Sequence, residues 1–222
     1  MRKDLDDLLC RRYPDLFADR HGDMRTTAMC WGFSCGDGWC TLIDALCAEI
    51  RRHASETNTS APVVQQVKEK FGSLRYYVAG GDDWIHDLIW FSDYLSGVIC
   101  EECGAPGYLA ADADWYRTRC VAHGGKAPPV VRIAEPRAFV MPPIAAPGWR
   151  HLAQALEACV ENDIQRNGLD PVVVDRVMEG DDTLLFASHG GGDRVAAWIQ
   201  LLSMYSLRVD SITGKPRDEV PA

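Results

Sequence analysis

The sequence predicts an α+β fold of two tandem α-β-β-α modules, the first carrying a structural zinc knuckle. Three observations carry that prediction. Sliding the 222-residue chain on itself by 110 positions aligns Gly38–Pro106 with Gly148–Pro216 without gaps, with 18 identities in 69 positions. That is several times what chance pairing gives, and it marks a repeat. Within each repeat the apolar spacing switches from helical to alternating and back. Third, Cys100, Cys103, Cys120 and His123 form the pattern C-x2-C-x16-C-x2-H, a complete ligand set for a tetrahedral site.

Each element follows from local chemistry. The opening segment MRKDLDDLLCRRYPDLF is charged throughout and has no apolar core followed by a cleavage site, so no export signal is expected. Asp37 and Pro147 suit helix starts, Asp37 as a cap. Behind them, Trp39, Leu42, Ile43 and Leu46, and in the second copy Trp149, Leu152, Leu156 and Val160, share one helical face. Two strands follow, Val63–Glu69 and Leu74–Val78, joined by a short turn. Their counterparts are VVVDRVME and TLLFAS around GDD. A glycine turn then opens a second helix with Ile85, Leu88, Ile89 and Leu95 inward, matched by Val195, Trp198, Ile199 and Leu202. Each module ends in a turn. In the first it holds Cys100 and Cys103; in the second Asp210 and Thr213 stand there, so the metal is lost. The boundaries are 1–126, 127–146 and 147–222. The middle segment is a proline-rich strap in which Val130–Ile133 and Phe139–Met141 read as short edge strands. The polar residues from Gly214 onward are expected to fray.

Composition limits the function. The chain is 47% hydrophobic and 25% charged with mean hydropathy −0.17, values of an ordinary globular protein rather than a disordered or membrane-spanning one. Its net charge of −9 argues against a chain-wide grip on nucleic acid. Nine cysteines without an export signal point to a reducing cytoplasm. Four protein ligands leave a zinc ion no open position, so it is expected to hold structure. No H-x-E tripeptide accompanies the cluster, which removes the zinc deaminase reading.

Two other clusters carry candidate chemistry. Cys30, Cys35, Cys40 and Cys47 lie close in sequence without a C-x2-C turn; Cys40 and Cys47, a heptad apart, read as buried thiols. The competing reading makes Cys35 or Cys40 a nucleophile beside His21 or His53. Lys68, Lys70 and Arg75, with Tyr76 and Tyr77, form a basic and aromatic strip absent from the second copy, where Met178, Gly180 and Leu185 replace the three cations. It reads either as a nucleic-acid or partner contact or as a lysine-protected sheet edge.

Three segments, WGFSCGDGW (Trp31–Trp39), VKEKFGSLRYYV (Val67–Val78) and LSGVICEECGAPG (Leu95–Gly107), together with Trp115, Cys120 and His123, resemble a family of small bacterial and prophage proteins. The resemblance covers residues 24–125. It implies a mobile-element setting and a bound zinc, not an activity. The expected function is a non-enzymatic zinc-stabilised interaction protein of phage or mobile-element origin, binding a protein partner such as a host defence or replication component. The alternatives are nucleic-acid binding through the basic hairpin and a cysteine-dependent enzyme. No membrane partner is expected, and homodimerisation stays open beside an internal dimer.

Overall fold

The computed structural model describes residues 1–112, 115–127, 139, 141–168, 172–180 and 183–217. It is α+β, with five helices and three small sheets among those residues. The helices are α1 (Lys3–Arg12), α2 (Cys40–Thr57), α3 (Asp83–Ser96), α4 (Arg150–Asn167) and α5 (Gly192–Ser206). The strands are β1 (Phe33–Ser34), β2 (Val63–Lys70), β3 (Ser73–Ala79), β4 (Tyr108–Asp112), β5 (Trp115–Arg119), β6 (Val173–Glu179) and β7 (Leu184–His189). β2 pairs antiparallel with β3 and takes β1 in parallel on its other edge; β4–β5 and β6–β7 are separate antiparallel pairs. No helix among the described residues is long and apolar enough to cross a membrane.

Particular contacts recur 110 positions apart. A single 3-10 turn precedes both α2 and α4, and the indole after each glycine, Trp39 and Trp149, is buried. The ladder irregularity between Val64 and Gln66 in β2 has its match between Val174 and Arg176 in β6. The Ser96 hydroxyl donates to the Asp93 carbonyl (2.6 Å) and accepts from Leu74 N–H (2.8 Å), tying α3 to β3. Ser206 does the same between the Ser203 carbonyl (2.7 Å) and Leu184 N–H (2.9 Å). These side chains satisfy strand groups where no ladder partner reaches.

One continuous apolar core runs through both sequence repeats, from Leu9 and Trp39 to Trp198 and Val209. The helices form its centre: α2 packs on α5, α3 packs on α4, and α3 meets α5. The strap contributes Phe139, Met141 and Ile144, all buried. Neither Phe139 nor Met141 lies in a strand, and Val130–Ile133 fall outside the described residues. The tail is tied down further than its polarity predicts, because Val209 bridges to Pro216 and Arg217 N–H donates to the Arg208 carbonyl at 2.9 Å.

Asp37 corrects the capping expectation. Its carboxylate accepts from Arg2 N–H at 2.7 Å and pairs with the Arg2 guanidinium at 2.8 Å, while neither the 3-10 turn nor α2 receives a side-chain cap. The N-terminal segment competes for the carboxylate and wins with a charge-assisted contact.

A buried acid joins the two ends of the chain. Asp44 on α2 is 2% exposed; it takes the Arg12 guanidinium (2.7 Å), the Arg208 guanidinium (3.0 Å) and the Tyr13 hydroxyl (2.9 Å). Arg208 is itself 6% exposed, so removal of the acid strands a desolvated cation. Asp44→Ala is expected to destabilise by about 3–5 kcal/mol. Urea unfolding followed by circular dichroism and tryptophan fluorescence should show one shifted transition. A second, unshifted transition would mean that the two repeats fold independently.

His151, 8% exposed, finds no well-formed hydrogen bond for either ring nitrogen among the described residues. Burial holds its pKa down to about 4 against an ordinary 6.5. The unfolded chain therefore binds the extra proton between those two values, and stability falls as pH drops through that window. The share due to His151 is about 3 kcal/mol. His151→Thr, which restores the residue found at position 41, should flatten the stability profile between about pH 6.5 and 4 relative to the parent; an unchanged slope contradicts the assignment.

Candidate metal centre

The four sequence-predicted ligands converge. The Sγ atoms of Cys100, Cys103 and Cys120 and a ring nitrogen of His123 all lie within 4.8 Å of one another, with Cys100 and Cys120 buried, Cys103 half-buried and His123 exposed. His123 Nδ1 stands 3.4 Å from the Cys100 sulfur and 3.3 Å from that of Cys120; Cys103 and Cys120 are 3.8 Å apart. That is far beyond a disulfide bond length, and all nine cysteines are free thiols. The group could hold a metal ion.

Each pair of ligands sits on its own tight turn. Cys100 N–H donates to the Ala105 carbonyl and Gly104 N–H to the Cys100 carbonyl, both at 2.8 Å. Gly104 has φ +73°, a left-handed conformation that glycine adopts without a Cβ clash. The second turn closes with His123 N–H and Gly125 N–H both donating to the Cys120 carbonyl at 2.9 Å. The ribbon β4–β5 links the two turns.

Three segments far apart in sequence, Trp31–Trp39, Val67–Val78 and Leu95–Gly107, meet at this cluster. A Cβ on Gly38 would lie 2.2 Å from the Cys100 carbonyl oxygen and 2.4 Å from Gly104 N, so only glycine fits there. Gly38 N–H donates to the Glu101 carbonyl (2.8 Å), Gly36 N–H to the Glu101 carboxylate (2.9 Å), and the Trp39 indole to the Ile99 carbonyl (2.9 Å). From the other side, Glu69 accepts from Gly72 N–H (2.7 Å), while the Gly72 carbonyl accepts from the Thr118 hydroxyl (2.6 Å). Thr118 is buried and precedes Cys120 by two residues, and its carbonyl takes Glu101 N–H at 3.0 Å. The CGDGW, KEKFG and CEECG strings are thus one bonded assembly around the ligands.

The matching turn of the second repeat has the same backbone bonds. Gly214 N–H reaches the Asp210 carbonyl at 2.8 Å and Asp210 N–H the Lys215 carbonyl at 2.9 Å. Here Asp210 accepts from Thr213 N–H (2.7 Å) and the Thr213 hydroxyl (2.8 Å), which hold its carboxyl below the usual range. A hydrogen-bonded Asp–Thr pair closes the turn in place of the thiols.

Burial works against a thiolate at the upstream cysteines. Burial pushes the Cys35 and Cys40 thiols up to about 12, and Cys47 higher still, its sulfur 3.2 Å from the Tyr76 hydroxyl. His53 stacks on Trp84 with centroids 5.4 Å apart and bonds Asp82 at 2.7 Å. A surface pocket of about 240 Å³ is lined by His86, Asp87, Trp90, Asp163, Asn167 and Arg194. Both of its acids share a single cation, Arg194, which lies 3.0 Å from Asp87 and 3.1 Å from Asp163.

The basic strip is rearranged by the strand pairing. Lys68 pairs across from Arg75 on the outer face, whereas Tyr76 pairs with Val67 on the inner one and is 4% exposed. Tyr76 therefore packs in the core instead of contacting a partner. Arg75 is committed to Asp93 and to the Ser73 hydroxyl. Lys68 and Lys70 have no ion pair among the described residues, and β2 is the central strand of its sheet, not an edge. Sequence reasoning missed Phe71, Leu109 and Tyr116, which are 63%, 52% and 48% exposed beside one another. The available signal was an aromatic–glycine pair in a two-residue turn, Phe71–Gly72, where asparagine–glycine is the usual choice. No family model, curated protein or solved structure matches this chain.

Thiol alkylation at neutral pH tests the reactivity ranking. Metal-free protein should lose the half-exposed Cys30 and the cluster thiols before Cys40 and Cys47, which are modified only as fast as the chain opens. Rapid single-site alkylation of Cys35 or Cys40 would restore the nucleophile reading.

Proposed function

We propose that this chain is a non-enzymatic binding protein, built by internal duplication and stapled in its first half by a structural zinc ion. The observation that carries the reading is the closed Cys100–Cys103–Cys120–His123 cluster. Zinc bonds of about 2.3 Å to sulfur and 2.0–2.1 Å to nitrogen set tetrahedral edges of about 3.8 Å between sulfurs and about 3.5 Å from sulfur to nitrogen. The separations of 3.8, 3.4 and 3.3 Å match those edges. Three soft thiolates with an imidazole favour zinc over oxygen-loving ions. All four positions are protein ligands, so the ion has no place for a reacting water.

Duplication is supported by reciprocal contacts. Gly104 lies against Pro216 and Gly214 against Pro106, the same pair with the halves exchanged. Likewise the Gln200 amide reaches Glu49 at 3.4 Å, while Trp90 lies against Cys159, each residue displaced by 110. Contacts of this kind are what a twofold dimer makes, with residue i on j and j on i. The reading is therefore a fused pair in which one copy keeps its metal and the other replaces it with Asp210 and Thr213. On the resemblance of residues 24–125, such a protein would belong to a mobile element and work by binding a protein partner.

Metal analysis of the purified chain should find one zinc per molecule. Cys120→Ser should lose the ion and destabilise by about 3 kcal/mol or more, near 10 °C in Tm. Because the metal turn packs on the Gly214 turn, the loss should lower the whole transition. Folded protein with well under one zinc per chain would overturn the reading.

A further inference from the structure

We propose that the corner formed by the β2–β3 turn and the β4–β5 ribbon is a stacking platform for single-stranded nucleic acid; this rests on reading the chain as a binding protein and adds a partner class to it. Phe71 and Tyr116 stand edge to face, centroids 6.3 Å apart, with both rings largely in solvent. Leu109 fills the floor beside Gly72. Lys70 holds its ammonium 5.3 Å from the Phe71 centroid. Trp115, 59% exposed, leaves the opposite face of the same ribbon.

Charge decides the occupant. The chain carries −9 overall, and many arginines are consumed internally, among them Arg12, Arg20, Arg52, Arg75, Arg194 and Arg208, which sit in ion pairs. On the outer face of β2, Lys68 and Lys70 have no carboxylate within ion-pair distance among the described residues, and Lys70 stands beside the Phe71 ring. Free cations interleaved with solvent-facing aromatic rings suit phosphates and bases together. An apolar protein surface would leave those cations desolvated and unpaired.

Phe71 adds an independent sign. It holds φ +55° in a two-residue turn whose neighbour Gly72 has φ +78°. A bulky residue is strained there, and this one recovers little by burial. Asparagine would serve the turn better. A strained, exposed ring kept at a hairpin tip is explained by what the ring touches when bound.

The test uses the zinc-loaded full chain and fluorescence anisotropy with labelled twelve-nucleotide oligothymidylate and oligouridylate, the two arms separating DNA from RNA. Binding to at least one is expected, with a log–log salt slope of about −1.4 for two phosphate contacts, from about −0.7 per contact. Phe71→Asn should weaken it about tenfold or more while raising Tm, because the turn is relieved. Lys70→Glu should weaken it and shallow the slope. Absence of binding to both oligonucleotides overturns the proposal, as does binding that Phe71→Asn leaves unchanged. Capture of a protein in place of the oligonucleotide overturns it too. Zinc content measured on the same samples keeps a failure of the metal reading separate.

Discussion

The close approach of Gly38 to the turn bearing Cys100 and Cys103 is the constraint on which the rest of the molecule depends. With a Cβ the backbone at position 38 would collide with Cys100 O and Gly104 N, and the bonds from Gly36, Gly38 and Trp39 to Glu101 and Ile99 would part. Those bonds set where α2 begins, and α2 carries Leu42, Ile43 and Leu46 into the centre of the core. Gly148 makes the same approach to Gly214 N and Asp210 O, and it launches α4 in the same way. One steric demand thus places both long helices.

Having two such assemblies explains why the core is shared. Each four-element set has only a small sheet and two helices, too little to bury its own apolar face. The helices of one set close the other, and the turns meet at the Gly–Pro pairs. Where the halves differ, the differences are compensated locally. The stacked His53 and Trp84 of the first have Asp163 and Arg194 as counterparts, and that pair is bonded at 3.1 Å. Asp44 and Arg208 have no such counterpart, since positions 154 and 98 hold Gln154 and Val98. That buried pair joins the helix after the first turn to the segment after α5, and it draws in Arg12 from α1.

The same packing divides the surface. Tyr76 and Cys47 meet inside, and Arg75 folds around the sheet edge to Asp93. What stays outside on that side is Lys68, Lys70 and the ring of Phe71, brought beside Tyr116 by the bond from the Thr118 hydroxyl to the Gly72 carbonyl. The metal turns and the exposed corner are therefore mechanically continuous through β5, which runs from Trp115 to the residue before Cys120.

Local and periodic features were legible in the sequence by itself: the α+β class, the helix faces, the two hairpins and the four candidate ligands. Spacing and glycine sterics determine these without reference to distant residues. The tertiary structure alone decided what each motif is for. Asp37 could have capped a helix, but Arg2, thirty-five residues away, takes it. Tyr76 sits among cations in sequence yet faces the core, because alternation along β3 separates neighbours onto opposite faces. The bonds from Glu101 to Gly36 and from Thr118 to Gly72 join residues far apart in sequence. So does the clustering of Phe71 with Tyr116. Each is a long-range contact set by how helices and ribbons pack, and no local pattern encodes it.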